Sequence, residues 1–305
     1  MRIATTTANA QVIDAVGKQQ TQLAETRSRL ASGLRVDKPS DDPAAAAQAE
    51  RVRTRQARLE AEGRMIDAAR TTLQHAEGAI SSGIEELQGV REMLLAASNG
   101  TLAAEDRAGF AVQLRGALGN LLAIANRDNG NGSYVFGGAG SEEPPFAQLG
   151  AITYRPQTGV QQTASDPNLP VTQDGNATFM AIPDGAGSTR SVFAALEAAA
   201  VALEDPALPT AQLQTTLNAS LKNVDGSMER LSMARTRIGE SLKIIDSRTS
   251  LNEVDSVNLE QRLGELIDLD YAKALGDFTQ AQTATEAAMQ TYASVARLTL
   301  FNYLS

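Results

Sequence analysis

Few side chains in this sequence could do chemistry. His75 is the single histidine in 305 residues and cysteine is absent, so thiolate nucleophiles, disulfides and cysteine–histidine metal sites have no material. His75 stands two residues past Leu73, a seam position in the heptad series below, which places it towards the solvent side of a helix. Asp41-Asp42 could form a carboxylate dyad or hold a cation. Their position before Pro43 and an alanine run suits helix capping better, with Asp42 as N-cap and Pro43 at the first helical position. Gly137-Gly138-Ala139-Gly140 lacks the lysine and Ser/Thr that follow a phosphate loop, and is expected to be a turn leading into a domain. No polar triad is left for an enzyme, and no cofactor or metal is expected.

The elements that would position these residues are helical. Hydrophobic residues make up 42% of the chain but aromatics only 4%, and tryptophan is absent, so narrow helix seams fit better than a bulky core. The net charge of −9 argues against nucleic-acid binding by the whole chain. The richest apolar run, Val192 to Leu203, is broken by Glu197 and is too short to span a bilayer, so no membrane insertion is expected. The N-terminus lacks the apolar core of a Sec signal, so export would need a route without a cleaved hydrophobic signal. The missing cysteine leaves the redox compartment open.

Eight of the ten prolines lie between Pro144 and Pro209, leaving two long proline-free stretches, 44–143 and 210–305. In the first, Val52, Leu59, Ile66, Leu73, Ile80, Leu87 and Leu94 recur every seventh residue. They predict one helix over about 44–98, on the order of 80 Å long, ended by Asn99-Gly100 in a left-handed cap. A second helix follows with Phe110, Leu114, Leu118, Leu121 and Ala125 on one face, stopping at 128–132. In the second stretch Leu217, Val224, Leu231, Ile238, Ile245, Leu259 and Leu266 keep the same step, interrupted only by Asn252, a polar seam residue of the kind that fixes register.

The chain ends form separate amphipathic segments. Val16, Leu23 and Leu30 step by seven, flanked by Val12 and Leu34; Leu275, Phe278, Met289 and Tyr292 run into Leu298, Leu300, Phe301, Tyr303 and Leu304. Residues 1–36 carry five bases against two acids, and 253–277 seven acids against two bases, as suits ends that meet. Such narrow helices bury little area as an isolated pair, so these residues are expected to form a face completed by neighbouring subunits and to order on assembly. Between the two helical stretches, 151–154, 160–163 and 177–182 read as short strands. Half of the twelve aromatics fall between Tyr134 and Phe193, so this insert is expected to hold its own small core.

Leu30-Ala-Ser-Gly-Leu-Arg35, then Pro39-Ser-Asp-Asp-Pro43, resembles the N-terminal signature of flagellin-like axial proteins of the bacterial flagellum. So do Ala76-Glu-Gly78, Ala97-Ser-Asn-Gly100 and Glu105-Asp-Arg107. Ser133-Tyr-Val-Phe-Gly-Gly138 with Pro145-Phe146 resembles the segment leading into that family's variable domain. Flagellins usually carry lysine-aspartate-aspartate-alanine where this chain has Pro39 to Pro43. They also end in an asparagine- and glutamine-rich segment, whereas Leu298-Thr-Leu-Phe-Asn-Tyr-Leu304 is similar to the end of the family's hook-associated junction members.

The resulting expectation is a mainly α fold, a long antiparallel helical bundle or coiled coil built from both chain ends, with a small β-containing insertion. Its parts would be terminal assembly segments (1–36 and 269–305), a rod-like helical domain (37–133 and 191–268) and an outward-facing insertion (134–190). The resemblance implies a non-enzymatic subunit joining hook to filament. It implies as partners copies of itself in a ring, hook-associated protein 1, flagellin and a cytosolic flagellar export chaperone on the C-terminal helix, with export through the flagellar type III apparatus. The alternatives are a flagellin filament subunit and, from another class, a soluble coiled-coil receptor or signalling protein with a ligand site in the insert.

Overall fold

The computed structural model describes residues 2–100, 102–130, 132–140, 142–162, 168, 170–183 and 188–304; side chains are described for these apart from 2–9, 12, 149 and 295–304. The helices are α1 (Arg2–Ser32), α2 (Pro43–Ala97), α3 (Ala104–Ala125), α4 (Val192–Glu204), α5 (Thr210–Ile267) and α6 (Tyr271–Leu304). Between α3 and α4 lie β1 (Phe146–Leu149), β2 (Ala151–Tyr154), β3 (Ile182–Pro183) and β4 (Thr189–Arg190), paired antiparallel as β1–β2 and β3–β4. The fold is mainly α with a small β-containing insertion. The chain divides into two compact units, residues 1–60 with 252–305 and residues 61–251; α2 and α5 contribute to both.

In the 61–251 unit the heptad positions are the buried ones. Leu73, Ile80, Leu87 and Leu94 of α2 and Leu217, Val224, Leu231 and Ile238 of α5 belong to one core with Leu114 and Leu121 of α3. By length and composition α3 could cross a membrane, but those two leucines lie in this core. Helix α3 packs on α4, where Arg115 pairs with Glu197 and Glu204. His75 is exposed, as the heptad phase requires.

Helix α2 ends differently from the expectation. Neither Asn99 nor Gly100 is left-handed. The Ser98 hydroxyl donates to the Leu94 carbonyl at 2.8 Å and the Asn99 N–H donates to Ala96 at 3.2 Å, so a tightened last turn satisfies these carbonyls without a cap residue.

The insertion departs further. Residues 151–154 form β2, but Gln162 makes only an isolated bridge to Pro170, residue 163 lies outside the described residues, and 176–180 is a π-helical turn that precedes β3. Asp174 dictates that turn. Its carboxylate accepts from the Ala177 N–H at 3.1 Å, and its carbonyl accepts from the Thr178 N–H at 3.1 Å and the Thr178 hydroxyl at 2.8 Å. The turn's own carbonyls are taken up by α5, with Arg230 donating to Ala177 at 2.7 Å and the Ser227 hydroxyl to Thr178 at 3.2 Å. Phe179 is thereby turned onto Phe136 (5.0 Å between centroids), Phe146 (5.7 Å) and Phe193 of α4 (5.7 Å). The insert therefore has no separate core: its aromatics continue the helical one. Gly175 is required here by close approach alone, since a Cβ would lie 2.7 Å from both the Phe136 carbonyl oxygen and the Tyr154 ring.

Candidate assembly interface

The unit formed by 1–60 and 252–305 contains all the proposed assembly residues. Helices α1 and α6 pack along one another. The α6 side of this contact is made of small residues: Ala274, Ala281 and Thr285 are buried, and Phe278 is half-buried. On α1, Val16, Leu23 and Leu30 are half-buried, as is Leu34 just beyond the helix. Leu275, Met289 and Tyr292 point elsewhere, at 57%, 47% and 42% exposure. The side chains of Val12, Leu298, Leu300, Phe301, Tyr303 and Leu304 lie outside the described residues. Helices α1 and α6 also border an open groove of about 1210 Å³ lined by polar residues including Asp14, Lys18, Gln22, Glu25, Arg29 and Asp277. Leu275, Met289 and Tyr292 are thus left largely in water, while the buried α6 positions among the described residues are alanine and threonine.

A latch closes the base of this pair, built from the signature residues. The α1–α2 and α5–α6 connections lie side by side. The N–H groups of Arg35 and Val36 donate to the Ile267 carbonyl at 2.7 and 3.3 Å, the Leu269 N–H donates to Gly33 at 2.9 Å, and Leu34 bridges Asp268. Arg35 also donates from its guanidinium to the Leu266 carbonyl and to Asp42, the latter at 3.4 Å. Val36, Ala45, Ala49 and Ile267 bury a small core beneath. No local periodicity announces this contact, because its two halves are more than 200 residues apart; only the opposite charges of the ends hinted at it.

Three signature residues have clear physical tasks. Gly33 is left-handed at φ 72°, and a Cβ there would stand 2.7 Å from the Tyr271 hydroxyl oxygen. Asp42 caps α2, accepting from the N–H groups of Ala44 and Ala45 at 3.1 and 3.0 Å. Asp41 accepts from Lys38 at 2.9 Å and Asp37 at 3.2 Å, so the pair is a capping device and not a dyad. These backbone N–H bonds, foremost Lys38 to Asp41 and Ala45 to Asp42, hold both carboxyls below their ordinary pKa, with Arg29 and Arg35 assisting. Because the folded pKa values are depressed, the caps contribute fully above about pH 4 and fade as pH falls through the folded values. Gly33→Ala should cost about 1–2 kcal/mol through its left-handed conformation, read as earlier loss of amide-exchange protection at Arg35 and Leu269 while the 61–251 core keeps its protection.

The seam residue Asn252 is half-buried, and its amide nitrogen is buried without a hydrogen-bond partner among the described residues. It therefore costs stability instead of adding to it.

Comparison with known proteins places this architecture. Residues 3–141 match the bacterial flagellin N-terminal helical region and residues 221–304 the bacterial flagellin C-terminal helical region. With both defining regions present, the chain belongs to the flagellin-like family. Within it, the chain is 28% identical over 317 residues to the flagellar hook-associated protein 3 of Escherichia coli K12, covering 99% of each chain. It is 24% identical to the flagellin of Bacillus subtilis 168, covering 94% of this chain and 93% of that one. The crystal structure of FlgL from Xanthomonas campestris has the same fold, with TM-score 0.63 and 18% identity over 71% of this chain and 99% of that one.

Proposed function

We propose that this protein is a structural, non-enzymatic subunit of the bacterial flagellum that forms the junction between hook and filament. The observation that carries the reading is its end-to-end similarity to a hook-associated protein 3, spanning 99% of both chains. The exposed Leu275, Met289 and Tyr292 support it, because large apolar groups held in water on a helix call for a partner.

The assembly face comprises these residues together with Val12, Val16, Leu23, Leu30, Leu34, Phe278 and the terminal Leu298, Leu300, Phe301, Tyr303 and Leu304. Residues 1–36 and 269–305 serve as terminal assembly segments, 37–133 and 191–268 as the rod-like domain, and 134–190 as an outward insertion. Partners are further copies in a ring, hook-associated protein 1 on the hook side, flagellin on the other, and a cytosolic export chaperone before secretion through the flagellar type III apparatus.

Electron microscopy of a deletion strain tests this. Hooks without filaments, with flagellin shed into the medium and the protein labelled only at the hook–filament boundary, are the expected result. Label along the whole filament would instead favour a filament subunit, the reading that the flagellin similarity keeps in play.

A further inference from the structure

Below the latch, the stretches of α2 over 43–60 and of α5 over 252–267 run as a two-helix pair. Its seam is marked by Ala45, Ala49 and Val52 on one helix and Leu259, Leu263 and Leu266 on the other. A pair of helices has two open flanks, and here they differ in charge. On one flank Gln48, Arg51, Val52 and Arg55 of α2, with Leu259 and Arg262 of α5, line a groove of about 370 Å³. Arg58 continues the row three residues on. Among the described residues, only Arg55 of these four arginines approaches a carboxylate, Asp255 at 3.9 Å.

The opposite flank is acidic. On α5, Glu260 lies about 160° round the helix from Arg262, and Glu253 is seven residues before it, in the same row. Glu60 and Glu50 of α2 fall on that side too, with Arg53 paired to Glu50 at 2.6 Å. Two acids, Asp255 and Glu265, share the basic flank, and one base, Arg53, shares the acidic one; the polarity survives both. Val254 and Val257, at 59% and 64% exposure, stand on the outer surface of α5 between the two flanks.

We infer that this polarity is a contact between copies: the arginine groove of one subunit receives the Glu253–Glu260 edge of the next. The inference rests on the reading of the chain as a ring subunit and specifies the surface by which the ring closes. A ring with one subunit type per position needs head-to-tail contacts, in which each interface joins two different patches of the same chain. The chain carries both patches, on opposite sides of one rigid helix pair. Their charges complement each other, which steers encounter and fixes register, and the exposed valines and arginine stems supply apolar area beside them. A nucleic acid is a poor occupant for the groove in a chain of net charge −9.

The absence of cysteine makes the test direct. Gln48→Cys on the groove flank and Ser256→Cys on the acidic flank would be introduced into the same full-length chain, alone and together. Isolated flagella would then be treated with a short bismaleimide. The double variant should give a ladder beyond dimer, and each single variant only monomer. A double variant that stays monomeric, or single variants that give dimers, overturns the head-to-tail contact. In the double-cysteine background, Arg51→Glu with Arg55→Glu should lower the multimer yield at least tenfold, and adding Glu253→Arg with Glu260→Arg should restore it. Failure of that restoration also overturns the pairing. Immunolabelling of the same flagella separates the two readings. A ladder with label along the filament sinks the junction and keeps this contact; junctional label without a ladder does the reverse.

Discussion

Leu73→Ala should cost about 2–5 kcal/mol in a urea melt, and His75→Ala less than about 0.5 kcal/mol, although the two positions are two residues apart on one helix. Leu73 has no exposed surface and sits in the core shared by α2, α3, α4 and α5. Truncating it removes a packed isopropyl group and leaves a cavity that long, stiff helices cannot readily close around. His75 is exposed, and the sequence offers no second histidine and no cysteine to form a site with it. Equal costs for the two substitutions would mean that the helical phase of α2 is misassigned. The same phase fixes every other seam residue on that helix, so the comparison tests the bundle and not only one leucine.

That phase was legible because α2 and α5 are long and regular. A seven-residue step kept from Val52 to Leu94 has one helical interpretation, and Pro43 after Asp42 marks where it starts; the helix runs from Pro43 to Ala97. Legibility failed where a few specific bonds outweighed pattern. Ala177-Thr-Phe-Met-Ala-Ile182 reads as a short strand between turn clusters, yet Asp174 captures the N–H groups of Ala177 and Thr178 and winds the chain into a π-turn. The terminal pair misleads differently. Leu275, Met289 and Tyr292 draw the eye as a stripe, but the buried contacts with α1 come from Ala274, Ala281 and Thr285, because small side chains let two backbones approach. Of the latch the sequence showed only the Asp42 cap and the opposite charges of the two ends, since Arg35 reaches a carbonyl at Leu266 that no local pattern connects to it.

Removal of residues 298–305 should leave the thermal unfolding of the isolated subunit nearly unchanged and abolish filament attachment. The segment follows the exposed Met289 and Tyr292 on α6 and adds Leu298, Leu300, Phe301, Tyr303 and Leu304 within seven residues. Among the residues whose side chains are described, the two hydrophobic clusters end at Ile267 and the buried α6 positions are Ala274, Ala281 and Thr285. Five large apolar groups within seven residues are stably accommodated only when other apolar surface removes them from water. In a deletion strain complemented with the truncated chain, hooks should assemble without filaments and flagellin should accumulate in the medium, with motility lost. Normal filaments on the truncated protein would remove the C-terminal cluster from the assembly face. A drop in subunit melting temperature as large as that of Leu73→Ala would show instead that the cluster belongs to the subunit's own core.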